Sequence, residues 1–137
     1  MVEVEFRAKT YDVDGYRHVH NAVYIRWLED LRTAMLDKFY PFERFLAAGI
    51  GPVLTKTMVE YRRAVKLGER PIGRMWVLST GRVRIGLAAE IRLGGVICAY
   101  AEQELAIIDI ASGRPLRVPQ AFLDAMPGAS GLPASAG

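Results

Sequence analysis

One helical stretch set among strands restricts what this chain can fold into. Tyr24, Leu28, Leu31, Met35 and Phe39 recur at helical spacing, with Arg26, Glu29, Asp30, Asp37 and Lys38 on the polar faces. A helix over residues 21–39 is about 28 Å long. Asn21 is expected to cap it, because its short polar side chain can bond a free backbone N–H. Pro41 stops it or opens a new turn, and a short helix is expected from Phe42 to Ala48. Before the long helix, Val4, Phe6 and Ala8 alternate with Glu3, Glu5, Arg7 and Lys9, which predicts a strand from Val2 to Tyr11. After it, strands are expected over 53–65, 72–79, 82–93 and 96–110. Gly94-Gly95 reads as a tight hairpin, since glycine tolerates positive φ at both turn positions. Ser112-Gly113 ends the last strand, and 120–126 reads as a short helical piece. Nothing alternates as βαβ, so a doubly wound sheet is not expected. The remaining solution is an α+β fold: an antiparallel sheet of five strands packed against one long helix.

The chain has 137 residues. We assign residues 1–126 to one domain, and 127–137 has the composition of a disordered end. A domain of this size buries roughly two thirds of its unfolded surface, so it needs no disulfide or metal staple. Its one cysteine, Cys98, sits in an apolar run and reads as a buried structural thiol. The first residues carry acids and no long apolar run, unlike a signal peptide, and no stretch is apolar enough to cross a bilayer. A cytoplasmic location is expected, with no membrane partner. The net charge is +3, and arginine supplies 14 of the 18 basic residues. That balance suits an anionic ligand. Without interleaved exposed aromatics or a recognisable module, it does not predict nucleic-acid binding.

The segment Asp12-Val-Asp14-Gly-Tyr-Arg-His18-Val-His20-Asn21-Ala-Val-Tyr24 holds both histidines of the chain beside two acids, at the mouth of the long helix. Turns and caps also favour Asp, Gly and Asn, so loop architecture accounts for part of this composition. A metal reading is open too, because Asp-x-Asp and His-x-His could offer four ligands from one face of an extended chain. The spacing matches no familiar zinc motif. The third reading is hydrolysis at an activated carbonyl. A helix start presents unpaired N–H groups and a positive dipole end, which can stabilise a developing oxyanion. A nearby carboxylate, ionised at neutral pH, can attack the carbonyl or deprotonate a water.

The run Asp14-Gly-Tyr-Arg-His18-Val-His20-Asn21-Ala-Val-Tyr24 resembles the Asp-x-x-Gly-His-Val-Asn-Asn-x-x-Tyr signature of the 4-hydroxybenzoyl-CoA thioesterase-like branch of hotdog proteins. Trp27-Leu28-Glu29, Val59-Glu60-Tyr61-Arg62-Arg63-Ala64, Leu67-Gly68-Glu69, Ala101-Glu102, Ile108-Asp109, Ser112-Gly113-Arg114-Pro115 and Val118-Pro119 continue the likeness in order. Arg17 stands where the family has glycine, and His20 where it has its first asparagine.

The resemblance implies a hotdog fold, with a sheet wrapped around the helix, and homodimers or homotetramers with active sites at the dimer interface. It also implies hydrolysis of an acyl-CoA or acyl-carrier thioester. On that likeness Asp14 is the catalytic carboxylate and the Asn21 N–H donates to the thioester oxygen. His18 and its loop position the substrate, and Asp12 orders the loop. Tyr24, Arg62, Arg63, Lys66 and Arg82 are expected to contact substrate, some of them through CoA phosphates. Neither a metal nor a cofactor is expected beyond the coenzyme A of the substrate. A non-catalytic acyl-CoA binding or sensing protein on the same fold is the alternative.

Overall fold

The computed structural model describes residues 1–127. All of the predicted disordered end except Pro127 lies outside the described residues. Nine elements follow one another, together with a 3-10 turn at Thr10–Asp12. They are β1 (Val2–Glu5), α1 (Asn21–Phe39), α2 (Phe42–Ala47), β2 (Ile50–Tyr61), β3 (Ile72–Thr80), β4 (Ile85–Leu93), β5 (Val96–Asp109), β6 (Pro115–Leu116) and α3 (Gln120–Ala125). The strands form one sheet in the order β1-β3-β4-β5-β2, every pairing antiparallel, with β6 paired to β5. This is the expected α+β arrangement, extended by one two-residue strand.

One face of α1 makes the core. Leu28, Leu31 and Met35 are buried in one cluster with Met75, Leu87, Ile91, Leu105 and Ile107 of the sheet. Phe6 and Leu31 pack tightly over Gly73: a Cβ there would stand 2.6 Å from the Phe6 ring and 3.0 Å from Leu31 Cδ1. A side chain would displace the Phe6 ring and crowd Leu31, so the close packing needs glycine. A second cluster, Tyr40, Phe45 and Phe122, joins the end of α1 to α2 and α3, with ring centroids 4.5–5.5 Å apart.

Several boundaries differ from expectation. β1 stops at Glu5 because its partner strand begins only after Pro71, which has no N–H for the ladder. The chain still runs on beside that segment, with Phe6 N–H donating to the Pro71 carbonyl and Ala8 N–H to that of Glu69. β2 starts earlier than expected and ends at Tyr61, where the Arg62 and Arg63 N–H groups both turn to the Cys98 carbonyl. In the β4–β5 hairpin only Gly94 takes positive φ, 58°, so glycine's freedom is used at one turn position, not two.

Asn21 is not a cap. It is the first residue of α1, and His20 holds the cap position with no side-chain cap bond. His20 N–H donates to the Asp12 carbonyl and Val19 N–H to that of Val65, which keeps the chain extended through residue 20. The helix therefore begins one residue earlier than a capping Asn21 would allow.

Candidate active site

Residues 13–19 form a small closed loop. Val13 and Val19 pair as an antiparallel bridge. Inside it, Asp14 N–H donates to the His18 carbonyl at 2.9 Å, and Arg17 N–H donates to the Asp14 carbonyl at 2.9 Å. The Asp14 carboxylate turns back on the loop: its Oδ1 accepts the Tyr16 N–H at 2.9 Å and the His18 N–H at 3.1 Å. Oδ2 carries no hydrogen bond among the described residues and is left for a ligand. The His18 N–H holds the Asp14 carboxyl below its ordinary range; partial desolvation opposes this, and the Tyr16 N–H and the two histidines add to the lowering. Arg17, in the family's glycine position, takes φ 63°. The loop thus keeps the left-handed turn that glycine would make and forces an L side chain into it.

This loop seats on 65–69. His18 pairs with Lys66 as a backbone bridge, and Leu67 N–H donates to the Arg17 carbonyl at 3.0 Å. The carboxylate is thereby placed next to the start of α1. There the Asn21 and Ala22 N–H groups have no intrahelical acceptor by position, and none among the described residues, while Val23 N–H already bonds the His20 carbonyl.

A cleft of about 280 Å³ joins these parts, lined by Asp14, His18, Val19, Asn21, Tyr24, Tyr61, Arg62, Arg63 and Ala64. It brings together six of the residues expected from the sequence: Asp14, His18, Asn21, Tyr24, Arg62 and Arg63. His20 and the Lys66 side chain are not in its lining. Arg82 lies in the β3–β4 turn, bonded through its carbonyl to Val118 N–H. That turn is at the other end of the sheet, eight steps of β3 or roughly 26 Å away. Within one protomer Arg82 therefore lies far from Asp14. Tyr61 and Ala64, to which the sequence assigns no role, also line the cleft: the β2–β5 register carries Tyr61 there, and Ala64 follows three residues past the end of β2.

Ion pairs sort the basic residues of mid-chain. Arg62 bonds Glu60 at 2.8 Å, Arg70 bonds Glu5 at 3.4 Å, Arg74 contacts Glu3 at 2.8 Å and Arg84 contacts Glu104 at 3.6 Å. Arg63, Lys66 and Arg82 have no ion pair among the described residues, so their charge is available to an anion. Behind the cleft, Tyr24 is buried, with its phenol pushed up by desolvation, and its ring meets that of Trp27 edge-on at 5.4 Å.

Asp12 is buried and accepts the Lys9 N–H at 3.0 Å. This bond orders the chain ahead of the loop. The metal reading needed Asp12, Asp14, His18 and His20 to converge; among the described residues no three His, Cys, Asp or Glu side chains do so. A larger cleft of about 480 Å³ lies over Phe6 and Trp27, but four acids and four bases line it and cancel, with no carboxylate beside a free helix terminus. No helix of the described chain is long and apolar enough to cross a membrane.

The profile of the thioesterase-like superfamily matches residues 8–126. The chain belongs to this superfamily. Among curated relatives of this thioesterase-like protein is the long-chain acyl-CoA thioesterase FadM of Escherichia coli (strain K12), 29% identical over 68 residues. That match covers 50% of this chain and 52% of FadM, so the chain spans about half the length of the curated relative it matches. Solved structures share its fold, among them the following two. The YbaW probable thioesterase from Escherichia coli superposes with a TM-score of 0.85 at 24% identity, over 92% of this chain and 98% of the other. The DHNA-CoA thioesterase from Staphylococcus aureus gives 0.80 at 22% identity, over 89% and 83%. The fold is the hotdog fold expected from the sequence.

Proposed function

We propose that this thioesterase-like protein hydrolyses acyl thioesters, acyl-CoA foremost, to free acid and thiol. The observation that carries the reading is the convergence of the Asp14 carboxylate and the free N–H of Asn21 on one cleft. A thioester oxygen set against the start of α1 is polarised by that N–H and by the positive end of the helix. Asp14, ionised at neutral pH, attacks the carbonyl carbon through its open oxygen or takes a proton from an attacking water. The carbon–sulfur bond then breaks, because sulfur conjugates weakly with the carbonyl and leaves as a thiolate. Water supplies the oxygen of the acid. Coenzyme A enters only as part of the substrate, and an acyl-carrier thiol would serve the same chemistry. The relative FadM, a long-chain acyl-CoA thioesterase, supports the substrate class.

The second part of the proposal is a homo-oligomer. β2 is twelve residues long and lies at the edge of the sheet, with β5 its one partner among the described residues. A long open edge is a template for another strand. If two copies pair β2 to β2 about a two-fold axis, the Asp14 end of one sheet lies beside the Arg82 end of the other. Arg82 then serves its partner's cleft, which reconciles its expected role with its distance. The test is thiol release from short, long and aromatic acyl-CoAs and from an acyl-carrier thioester. Turnover of at least one supports the proposal, and binding without release of any thiol rejects it.

A further inference from the structure

Tyr61 is the last residue of β2 and part of the cleft wall. Its phenolic O–H donates to the Asn21 carbonyl at 3.2 Å, across 40 residues of sequence. Its ring meets Tyr24 edge-on, with centroids 5.2 Å apart and planes at 76°. Tyr24 leans in turn on Trp27, and Trp27 stacks on Phe6 at 5.0 Å. The Tyr61 ring is therefore held on one side by a buried aromatic chain, yet 45% of the residue is exposed. Within one protomer, then, burial against Tyr24 alone does not account for a tyrosine at this position.

The bond to Asn21 gives the position its meaning. The first turn of a helix is where the ladder frays, because its N–H groups lack intrahelical acceptors. In α1 no side chain caps that turn. The Tyr61 hydroxyl ties the turn down differently: it donates to the carbonyl of the first residue, whose second lone pair the helix leaves open, and so leaves the free N–H groups unoccupied. A hydrogen bond at that oxygen also polarises the Asn21–Ala22 peptide group, so the Ala22 N–H becomes a better donor.

We infer that Tyr61 is a positioning residue: through the Asn21 carbonyl it holds the first turn of α1 so that the free N–H groups stay aimed at the reacting oxygen. It acts through Asn21 and does not touch the reacting atoms. The inference rests on the proposal that this turn receives the thioester oxygen.

The experiment is steady-state thiol release by wild type, Asp14→Asn and Tyr61→Phe, using the acyl-CoA that wild type turns over best, with a thermal melt of each variant. Phenylalanine keeps the ring and its contact with Tyr24 and removes the hydroxyl alone. The expected result is a kcat lower by roughly three- to tenfold, the kinetic equivalent of one neutral hydrogen bond, with KM and melting temperature unchanged. Tyr61→Ala, which also removes the wall, is expected to raise KM as well. Wild-type kcat in Tyr61→Phe overturns the inference while leaving the thioesterase reading intact. So does a change confined to KM, or a lower rate that tracks a lower melting temperature. If wild type releases no thiol from any substrate, the functional reading fails first and takes this inference with it.

Discussion

Asp14 and His18 grip each other twice: the Asp14 N–H donates to the His18 carbonyl at 2.9 Å, and the His18 N–H donates to Asp14 Oδ1 at 3.1 Å. The histidine thus fixes the carboxylate through its main chain, and its imidazole remains free to face the cleft. The loop has made a carboxylate that is both oriented and ionised.

That bonding sets the pH dependence. The carboxyl of Asp14 lies below its ordinary value of 3.8, chiefly because of the His18 N–H. A lowered native pKa means the ionised form, and the loop order it brings, are present above the ordinary value and lost only as pH falls through the lowered one. The acid limb of kcat/KM is expected below pH 3.8, as far as circular dichroism shows the fold intact. An acid limb near the ordinary histidine value of about 6.5 would instead make His18 or His20 the base.

Arg17 pays for the loop's shape in backbone strain. Its φ of 63° is a conformation that glycine adopts freely. Arg17→Gly keeps both backbone bonds of the residue, so it should raise stability by about 1 kcal/mol at most, part of the gain being offset by glycine's freedom in the unfolded chain. Urea denaturation measures the change. A loss of stability would show that the arginine side chain contributes more than its backbone costs.

The unpaired guanidinium groups are expected to act on substrate affinity. Arg63→Ala and Arg82→Ala should each raise KM for a CoA ester several-fold with kcat kept, and the effect should shrink in high salt. Arg84→Ala, which removes a group already paired with Glu104, should leave KM unchanged. In mixed oligomers, Arg82→Ala should affect the cleft of the other subunit. An effect confined to its own subunit would reject the two-fold pairing of β2.

Cys98 is fully buried, and burial pushes its thiol up. A thiol reagent at neutral pH should label it only after denaturant unfolds the chain. Fast labelling of native protein would mean that the β4–β5 hairpin opens.

The fold was legible where one signal was long and local. The amphipathic period from Tyr24 to Phe39, closed by Pro41, marked the extent of α1 but not its cap, which is His20 and not Asn21. β2 begins at Ile50, ahead of the expected Val53, and holds Pro52 in its ladder because it is an edge strand. β6 has two residues and no period to detect. In the site, Asp14, His18, Asn21 and Tyr24 lie within eleven residues and show as a motif. Tyr61 joins them only through the register that sets it opposite Ala99, and no local pattern announces that register. Arg82 looked equivalent to Arg63 because charge carries no address along a sheet.

Asp14→Asn isolates the charge of the carboxylate from its place in the loop. Asparagine keeps a side-chain oxygen for the Tyr16 and His18 N–H groups, so the loop should hold, while the charge that acts on the carbonyl is gone. Thiol release from the best acyl-CoA substrate should fall by about 10² to 10⁴-fold, with the melting temperature and oligomeric state retained. Turnover within a factor of two of wild type would contradict the account.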